Sequence, residues 1–482
     1  MRGYLSGLAV SVATLALTAP AAAETLQGAL AKAYQNNPTL TAARANQRAT
    51  DETVPIQRAA GLPSANLTAT YNENVLIPPG QFVNTLRTLN SNAQLQVPIY
   101  NGGSVRNGIR AADRRVQAGA EQLRGVESSV FSQVVAAYND VLRDEAVAEL
   151  NRANVRQLEV NLQATRDRFE VGDLTRTDVA QSEARLSLAR GDLRTAEANL
   201  IGSRERYIQL VGEVPIDLAA PPQLPNLPES PEQAVAVALR ENPDLAAASR
   251  NREATKFDVA VARASRLPTL SAFGQAQRND NFGSVQANIP INIPNQQTSA
   301  ALGLQANIPI FQGGRPSAQV RQAQARQSQA VEQVIETERN VVQQARAAFA
   351  SWRAAQDVIR AAQTAVDANT LSLEGVRAEN GVGNRTIIEV LNAEQELLNA
   401  RVQLVTARRN AYVAAFSLLA AMGQAEARDL NLEGVVLYDP AVNYERVRDR
   451  IWDFESPADP TAQASRTVDT PAQNPETTRA PQ

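Results

Sequence analysis

The sequence contains no cysteine and no histidine. Their absence excludes disulfide bonds, thiol nucleophiles, imidazole bases and the usual zinc and copper ligand sets. The chain also has neither a phosphate-binding loop that ends in Gly-Lys-Ser/Thr nor a Gly-x-Ser-x-Gly nucleophile motif. Carboxylates are abundant in the long polar runs, but their spacing is typical of a solvated helix face. We therefore predict that the protein is not an enzyme and holds no metal ion or cofactor.

Aromatic residues are scarce, and neither sign of charge is in large excess. Phe, Trp and Tyr make up 4% of the chain, so a thick globular core is not expected. Lys and Arg number 47 against 50 Asp and Glu, a net charge of −3 with both signs interspersed, which excludes a nucleic-acid partner. Ala, Gln, Arg and Glu instead dominate long runs, a composition typical of extended helices that pack through small side chains.

Long apolar runs are missing after the first residues of the chain. No later segment offers the ~20 continuous apolar residues that a spanning helix needs, so any membrane crossing would have to use strands. Residues 1–23 combine an early charge at Arg2, an apolar stretch and three alanines before Glu24. This arrangement predicts a signal peptide that is cleaved after Ala23, whereas a membrane anchor is disfavoured because the stretch is short and interrupted by Pro20. Without a cysteine to acylate, the mature chain should not be a lipoprotein.

The rest of the sequence contains an internal duplication. Four segments of the first half return in the second half in the same order: "NNPTLTAARANQRAT" as "ENPDLAAASRNREAT", "LQVPIYNGG" as "ANIPIFQGG", "AAYNDVLRDEAV" as "AAFASWRAAQDV", and "EVGDLTRTDVAQSEARL" as "GVGNRTIIEVLNAEQEL". The first pair is offset by 243 − 38 = 205 residues and the other three by 314 − 103 = 211. Self-similarity that is kept in this order indicates two copies of one structural unit. We assign the copies to residues 24–213 and 229–424, joined by a proline-rich linker at 214–228.

Each repeat is predicted to contain a helix, two strands, a long helix and a return helix. The first helix, of roughly 35 residues, should end before Pro63 or Pro268, because proline cannot continue the helical ladder. The long helix of the first repeat, which starts after Gly103, would extend roughly 100 Å. It leads to a tip at 170–177, and the second repeat has its tip at 380–386. First and return helices together match the long helix in length, so they could stack end to end beside it.

Four segments alternate between apolar and polar residues, as strands with one buried face do. They lie at about 65–75, 90–100, 269–279 and 299–310. The third is the weakest, because Phe273 falls on its polar side. The lengths approach the ~10 residues of an outer-membrane strand, although a half-buried soluble sheet has the same period. The signal peptide and the very long helices favour the membrane interpretation.

Four strands are too few to close a barrel on their own. An open sheet edge in lipid leaves N–H and C=O groups unpaired, at a cost of several kcal/mol each. Several chains must therefore contribute to one barrel. Because eight strands close around an interior filled by side chains, a conduit needs more strands, which predicts three or more subunits.

The signal peptide, the duplicated helix–strand–strand–helix–helix unit, the "VPIYNGG" and "IPIFQGG" junctions and the tip segment "VGNRTIIEVLNAEQELLNAR" together resemble the TolC family of outer-membrane export channels. The resemblance covers roughly residues 24–423. It implies a mainly α homotrimer with a small β part, in which a 12-stranded barrel lies in outer-membrane lipid and a long coiled α-barrel crosses the periplasm. The protein would be a passive exit duct whose tips meet a periplasmic adaptor bound to an inner-membrane ABC or proton-driven transporter.

The same resemblance assigns a closing link to the tips. If the two tips of a subunit lie side by side, Arg385 can pair with Thr177 and Asp178, at positions that similar family members use to hold the channel closed. Asn380 replaces a tyrosine that helps to hold this state. The link should therefore rest mainly on Arg385.

Other tip positions match a pore constriction and a surface for the adaptor. Glu389 matches a position at which the family places an acidic ring, which would attract cations. Asn392 stands where close relatives carry a second ring of aspartates, so the negative belt should be weaker here. The expected adaptor contacts are the small residues Val171, Gly172, Val382 and Gly383.

Two questions stay open from the sequence. Type I protein secretion and small-molecule efflux are not separable by the pore, although "YERVRDRIWDFESP" resembles the type I secretion branch. A periplasmic coiled-coil adaptor is the alternative class, but adaptors usually have one helical hairpin and an anchor, whereas this chain has two hairpins. After the second repeat we predict an equatorial C-terminal segment at 425–454 and a disordered periplasmic tail at 455–482, whose removal should leave the channel intact.

Overall fold

A computed structural model describes residues 23–76, 83–287, 294–430, 432, 434–455 and 458–476. The predicted signal peptide lies outside these residues except for Ala23. The elements of the first repeat are α1 (Leu26–Asn36), α2 (Pro38–Asp51), α3 (Thr53–Ala59), β1 (Ser64–Glu73), β2 (Val83–Thr85), β3 (Arg87–Tyr100), α4 (Ser104–Glu170) and α5 (Arg176–Val211). Those that follow are α6 (Pro231–Glu241), α7 (Pro243–Ala264), β4 (Thr269–Asp280), β5 (Val285–Ala287), β6 (Gln296–Asn307), α8 (Arg315–Gly381), α9 (Ile387–Met422) and α10 (Pro440–Val447).

The first helix of each repeat is broken, so the prediction of one continuous helix is wrong. Asn37 is extended, at φ −69° and ψ 124°, and its side chain accepts from two N–H groups at the start of α2. Asn242 repeats this arrangement before Pro243. Proline disfavours a helical residue before it but suits the first helical position, so each Asn-Pro pair ends one helix and caps the next.

Long helices dominate the molecule. Helices α4 and α8 have 67 residues each, or roughly 100 Å at about 1.5 Å per residue, and α5 and α9 return with 36 residues each. Both long helices begin after a glycine with φ 79°, at Gly103 and Gly314, in a conformation that other residues rarely adopt. Among the described residues, no helix combines the length and apolar character required to cross a membrane.

The largest core cluster lies halfway along α4, where α1 and the ends of α5 and α9 meet. Phe131 and Tyr138 of α4 are fully buried there against Tyr207 and Phe416. The Tyr138 hydroxyl lies 2.7 Å from the carbonyl oxygens of Glu24 and of the linker, so its polar end has acceptors. Burial of these few aromatic side chains fixes the stacked helices beside the long one.

The strands form one antiparallel sheet in the order β1-β3-β4-β6, and the short β2 and β5 pair separately. Strand β6 ends at Asn307, earlier than predicted, and Pro309 follows in the sequence with no N–H to continue a ladder. Strand β3 tolerates Pro98 because the register with β4 shifts between Pro98 and Tyr100. The sheet therefore places its polar and apolar faces in a defined register across four strands.

The tail differs from the prediction of a disordered segment. Residues 458–476 contain no helix or strand. Their last residues are nevertheless held by hydrogen bonds from α4 and α5, including two from Arg204. The composition of the tail gives no indication of the arginines elsewhere in the chain that bind it.

Candidate functional site

The return helices α5 and α9 begin at the two tips with the same capping arrangement. At the first tip the Thr175 hydroxyl accepts from the Asp178 N–H at 3.3 Å, and the Asp178 carboxylate accepts from the Thr175 N–H at 2.9 Å. Thr386 and Glu389 make the same exchange at the second tip. This capping box satisfies N–H groups that a helix start leaves free. The hydrogen bond from the Thr175 hydroxyl is the main cause of a lowered pKa for the Asp178 carboxyl.

Arg385 is held by two carboxylates of its own hairpin. Its Nε donates to Glu379 and its Nη1 to Glu389, each at 2.6 Å. Both bonds raise the pKa of the Arg385 guanidinium, and the bond to Glu379 has the larger effect. The pKa of Glu389 is lowered to about 2, first by the Thr386 N–H and then by Arg385. Glu389 therefore remains ionised at neutral pH, but the adjacent cation offsets its negative charge.

The predicted link from Arg385 to Thr177 or Asp178 is not made among the described residues. Two carboxylates within six residues of Arg385 already occupy its guanidinium, and Asp178 is committed to the start of α5. Asn380 also has a local role, since its Nδ2 donates to the carbonyl oxygen of Arg385 at 2.7 Å and holds the turn. Within one subunit, short-range partners determine the contacts of both tips.

Different residues join the two hairpins, above the tips. Arg185 of α5 donates to the side-chain oxygen of Asn392 of α9 at 2.6 Å. Further along α9, Glu394 accepts from Asn161 of α4 at 2.9 Å and from Arg377 of α8 at 2.6 Å. Glu394 is only 7% exposed, so this carboxylate connects three helices from both hairpins in a partly dehydrated position.

Apolar packing reinforces this junction. Leu391 of α9 is buried in one cluster with α4 and α5 side chains, which include Val155, Leu158, Leu162, Leu186 and Ala189. Arg185 and Glu394 could not be predicted from the sequence, because a polar helical run gives no signal for which of its charged residues will be buried. The apolar spacing of Leu391 and its neighbours is a signal that could have shown that this face of α9 meets another helix.

The extreme ends of the tips are small and exposed. Gly172 and Gly383 both have φ 83°, and no atom lies within 4 Å of where a β-carbon would stand on either. Val171 and Val382, which precede them, are exposed. Each tip therefore presents an exposed valine side chain next to an accessible glycine backbone.

The tip acids do not form a metal site. Glu389 is bonded to Thr386 and Arg385, and Asn392 accepts from Arg185. Within the described ranges no group of His, Cys, Asp and Glu could hold a metal ion. What the tips offer is ion pairing, hydrogen bonding and an exposed apolar surface.

The sheet has one apolar and one polar face. Two rows of paired residues place apolar side chains on one face. One row is Leu67, Ala93, Ala276 and Ala300, and the next is Ala65, Leu95, Gly274 and Leu302. Leu302 is 90% exposed on it. The opposite face carries mainly amides and hydroxyls, among them Asn66, Thr68, Gln94, Gln96, Gln275 and Gln277.

Phe273 is the aromatic exception on the polar face. It lies directly opposite Gly303 on β6, and its ring atoms are 2.7 and 2.8 Å from where a β-carbon of Gly303 would stand. The ring thus covers the space that the glycine leaves open, which is how an aromatic side chain is accommodated beside amides. The position of Phe273 in the sequence weakened the prediction of this strand, but its packing against Gly303 is compatible with the strand.

The fold is shared with solved structures of outer-membrane channels. The CmeC outer membrane channel of Campylobacter jejuni matches with a TM-score of 0.71 over 88% of this chain and 89% of CmeC, at 17% identity. The outer membrane protein VceC of Vibrio cholerae gives a TM-score of 0.68 over 83% of this chain and 96% of VceC, at 21% identity. The fold is thus that of the outer-membrane channels, mainly helical with a small sheet.

Sequence comparison gives the family. Residues 29–213 and 234–424 match the family described as outer membrane efflux protein. The outer membrane efflux protein BepC of Brucella suis is 35% identical over 94% of this chain and 97% of BepC. The outer membrane protein TolC of Vibrio cholerae is 27% identical over 88% of this chain and 96% of TolC, and the alkaline protease secretion protein AprF of Pseudomonas aeruginosa is 26% identical over 62% of each chain. The chain belongs to the outer membrane efflux protein family.

The predicted membership of the TolC family is therefore confirmed. The protein is an outer-membrane channel protein with a large periplasmic part. The alternative of a periplasmic adaptor is discarded, because both repeats match the channel family over nearly their whole length.

Proposed function

We propose that three copies of this chain form the passive exit duct of a tripartite export system. Each copy contributes its four-stranded sheet, so that 12 strands close into a barrel in the outer membrane. The long helices of the three copies form a tunnel through the periplasm. A periplasmic adaptor and an inner-membrane ABC or proton-driven transporter are the other two parts, and the transporter supplies the energy.

The observation that carries this proposal is the open sheet. Among the described strands, β1 pairs only with β3 and β6 only with β4, which leaves one edge of each unpaired. Unpaired backbone groups cost several kcal/mol each in lipid, and the exposed apolar face is unfavourable in water. Pairing β1 of one copy with β6 of the next removes the first cost, and insertion of the closed sheet into lipid removes the second.

Cysteine cross-linking tests this closure without background, because the chain has no cysteine. Thr68→Cys in β1 is combined in turn with a cysteine at each position of residues 299–303 in β6, and outer-membrane fractions are oxidised. We expect covalent dimers and trimers from at least one pair, and a heat-modifiable oligomer in the same fractions. The matched control is Thr68→Cys with Asn92→Cys, which face each other within one chain and should give only an internal bond. A soluble monomer, or monomer from every β1–β6 pair, would refute the proposal.

The tips form the gate in this proposal. In the closed trimer we infer that Arg385 exchanges its own-hairpin partners Glu379 and Glu389 for Thr177 and Asp178, while Glu389 and Asn392 surround the constriction. A single exposed ion pair contributes little because water screens it, but three copies act on one pore. Arg385→Ala should therefore increase the open fraction of single channels in a planar bilayer. An unchanged closed state would remove the link from the mechanism.

The exposed tip residues are the proposed contacts of the adaptor. Their support is the pair of exposed valines, Val171 and Val382, each beside a glycine that leaves the backbone accessible. Val382→Glu should weaken export and adaptor co-purification without changing the trimer. Val160→Glu, at an exposed valine away from the tip, is the matched control. Equal effects of the two substitutions would exclude a specific role of the tip.

The cargo follows from the transporter, not from the pore. Protein secretion is supported by the similarity to AprF, and efflux by the similarity to BepC. Deleting the protein and comparing secreted proteins with drug sensitivity separates the two. If deletion changes neither the secreted proteins nor the drug sensitivity, a role in export is contradicted.

A further inference from the structure

The C-terminal tail runs along the first hairpin in the direction of the tip. The Ser465 hydroxyl lies 2.7 Å from where a β-carbon of Gly212, at the end of α5, would stand. Eight residues later, the N–H of Gln473 donates to Glu205 at 3.1 Å. Because residue numbers rise along the tail while they fall along α5, the tail is antiparallel to this helix.

Two arginines bind three consecutive carbonyl oxygens of the tail. Nη1 of Arg204 donates to the carbonyls of Asn474 and Glu476, at 2.7 and 2.8 Å. Nη2 of Arg152 donates to the carbonyl of Pro475, between them, at 2.6 Å. Arg204 belongs to α5 and Arg152 to α4, so the tail bridges both helices of the hairpin.

Carboxylates of the same hairpin set the positions of both guanidinium groups. Glu145 of α4 accepts from Nη2 of Arg204 at 2.7 Å, and Glu197 of α5 accepts from Arg152 at 3.4 Å. Each arginine therefore meets an acid of the other helix. A guanidinium held in this way directs its remaining N–H groups outward in a fixed fork.

The tail supplies acceptors to a side chain that it covers. Beneath the tail, Arg204 is 2% exposed and its Nε has no partner. Leaving Nη1 unpaired as well would add to the cost of a buried charged group. Residues 473–476 suit the role because they bend at Pro475 and Glu476, where the Glu476 N–H donates to the Asn474 side-chain oxygen at 3.2 Å and the main-chain carbonyls are left for the arginines.

The second hairpin lacks this arrangement, although the repeats match elsewhere. Gly103, Gly172 and Gly212 correspond to Gly314, Gly383 and Gly423 at one constant offset. At the same offset, the counterparts of Arg204, Arg152, Glu145 and Glu197 are Ala415, Gln363, Gln356 and Arg408. The four groups are thus specific to the hairpin on which the tail lies, and they are not a by-product of the repeat.

We propose that the α4–α5 groove is a binding site for a peptide main chain, and that its ligand is the tail at residues 473–476. Recognition is through carbonyl oxygens, so it depends on the course of the tail's main chain more than on its side chains. The tail is then a strap on the first hairpin and does not hang freely in the periplasm. This inference does not require the trimer, because every contact lies within one chain.

A spin label on the full-length protein tests the strap. Ala472→Cys places a single cysteine next to the contact, since the chain has none of its own. We expect the label to be immobilised in the otherwise unchanged protein and to become several-fold more mobile with Arg204→Ala or Arg152→Ala. Arg204→Lys should restore part of the immobilisation, because it retains the charge but loses the fork.

The matched control is Arg194→Ala, which removes an 81% exposed arginine that also pairs with Glu197. It should leave the label immobilised. Arg152→Ala keeps the test valid if the variant at the more deeply buried Arg204 misfolds. The helical circular dichroism of Arg152→Ala should be unchanged. A label that is mobile in the unsubstituted protein, or equally immobile in Arg152→Ala and Arg204→Ala, would overturn the inference.

Discussion

The Glu394 junction gives the most direct test of what holds the two hairpins together above the tips. Glu394→Ala removes the acceptor of two hydrogen bonds, from Asn161 at 2.9 Å and from Arg377 at 2.6 Å. Each bond to a charged group contributes about 1.5–3 kcal/mol when it is sheltered. The Arg377 side chain is 46% exposed and can be solvated after the change, so its share must be reduced. We expect a net loss of about 2 kcal/mol, or roughly a thirtyfold shift in the equilibrium between joined and separated hairpins.

Single-channel recording in planar bilayers measures this shift as the fraction of time in the open state. Glu394→Ala should open the channel far more often, and Glu394→Gln should have a smaller effect because the amide oxygen still accepts one hydrogen bond. Arg185→Ala is the comparison, since it removes only the more exposed bond to Asn392 and should shift the equilibrium by about fivefold or less. If Arg185→Ala opens the channel and Glu394→Ala leaves it closed, the buried carboxylate is not what joins the hairpins.

Three further predictions concern other parts of the molecule. The pKa of Glu389 is lowered from its ordinary value of 4.5 to about 2, so the capping box should stabilise α9 fully above pH 4.5 and lose this effect as the pH falls through 2. Amide exchange at the start of α9 measures this stabilisation, and Glu389→Gln should remove its pH dependence. Asn37→Ala removes the cap of α2 and a buried bond to α5, which should lower the free energy of unfolding in urea by about 2–3 kcal/mol, against no more than about 0.5 for the exposed Asn46→Ala. Gly303→Val should prevent barrel assembly because its β-carbon would overlap the Phe273 ring, and Phe273→Ala in the same chain should restore the heat-modifiable oligomer; failure of this rescue would contradict the packing.

Most of the fold could be predicted because periodic patterns report directly on local structure. The duplication, the long helices and the alternation of the strands are repeated over many residues, so a single exception such as Phe273 did not conceal them. The break in the first helix was missed although Asn37 and Pro38 gave a clear signal, because an apolar helical pattern continues on both sides of them. Here the local preference of one dipeptide outweighs the periodicity of the surrounding helix.

The partners of the long charged side chains were much harder to predict. Arg385 was assigned to Asp178, but in this structure the nearby Glu379 and Glu389 hold it. An arginine side chain can reach several acids, and its choice depends on distances that only the packed helices determine. The tail illustrates the same limit, since no property of residues 458–476 indicates that Arg204, far away in the sequence, will bind their carbonyls.

The strap has a consequence for symmetry. In the proposed trimer, the duplicated hairpins would form a tube of six nearly equivalent units, as if its axis were sixfold. Because only the first hairpin of each chain carries the two clamping arginines and the tail, every second unit is marked on its surface. A protein that encircles such a tube would therefore meet two alternating kinds of wall, and could take a single register on it instead of two.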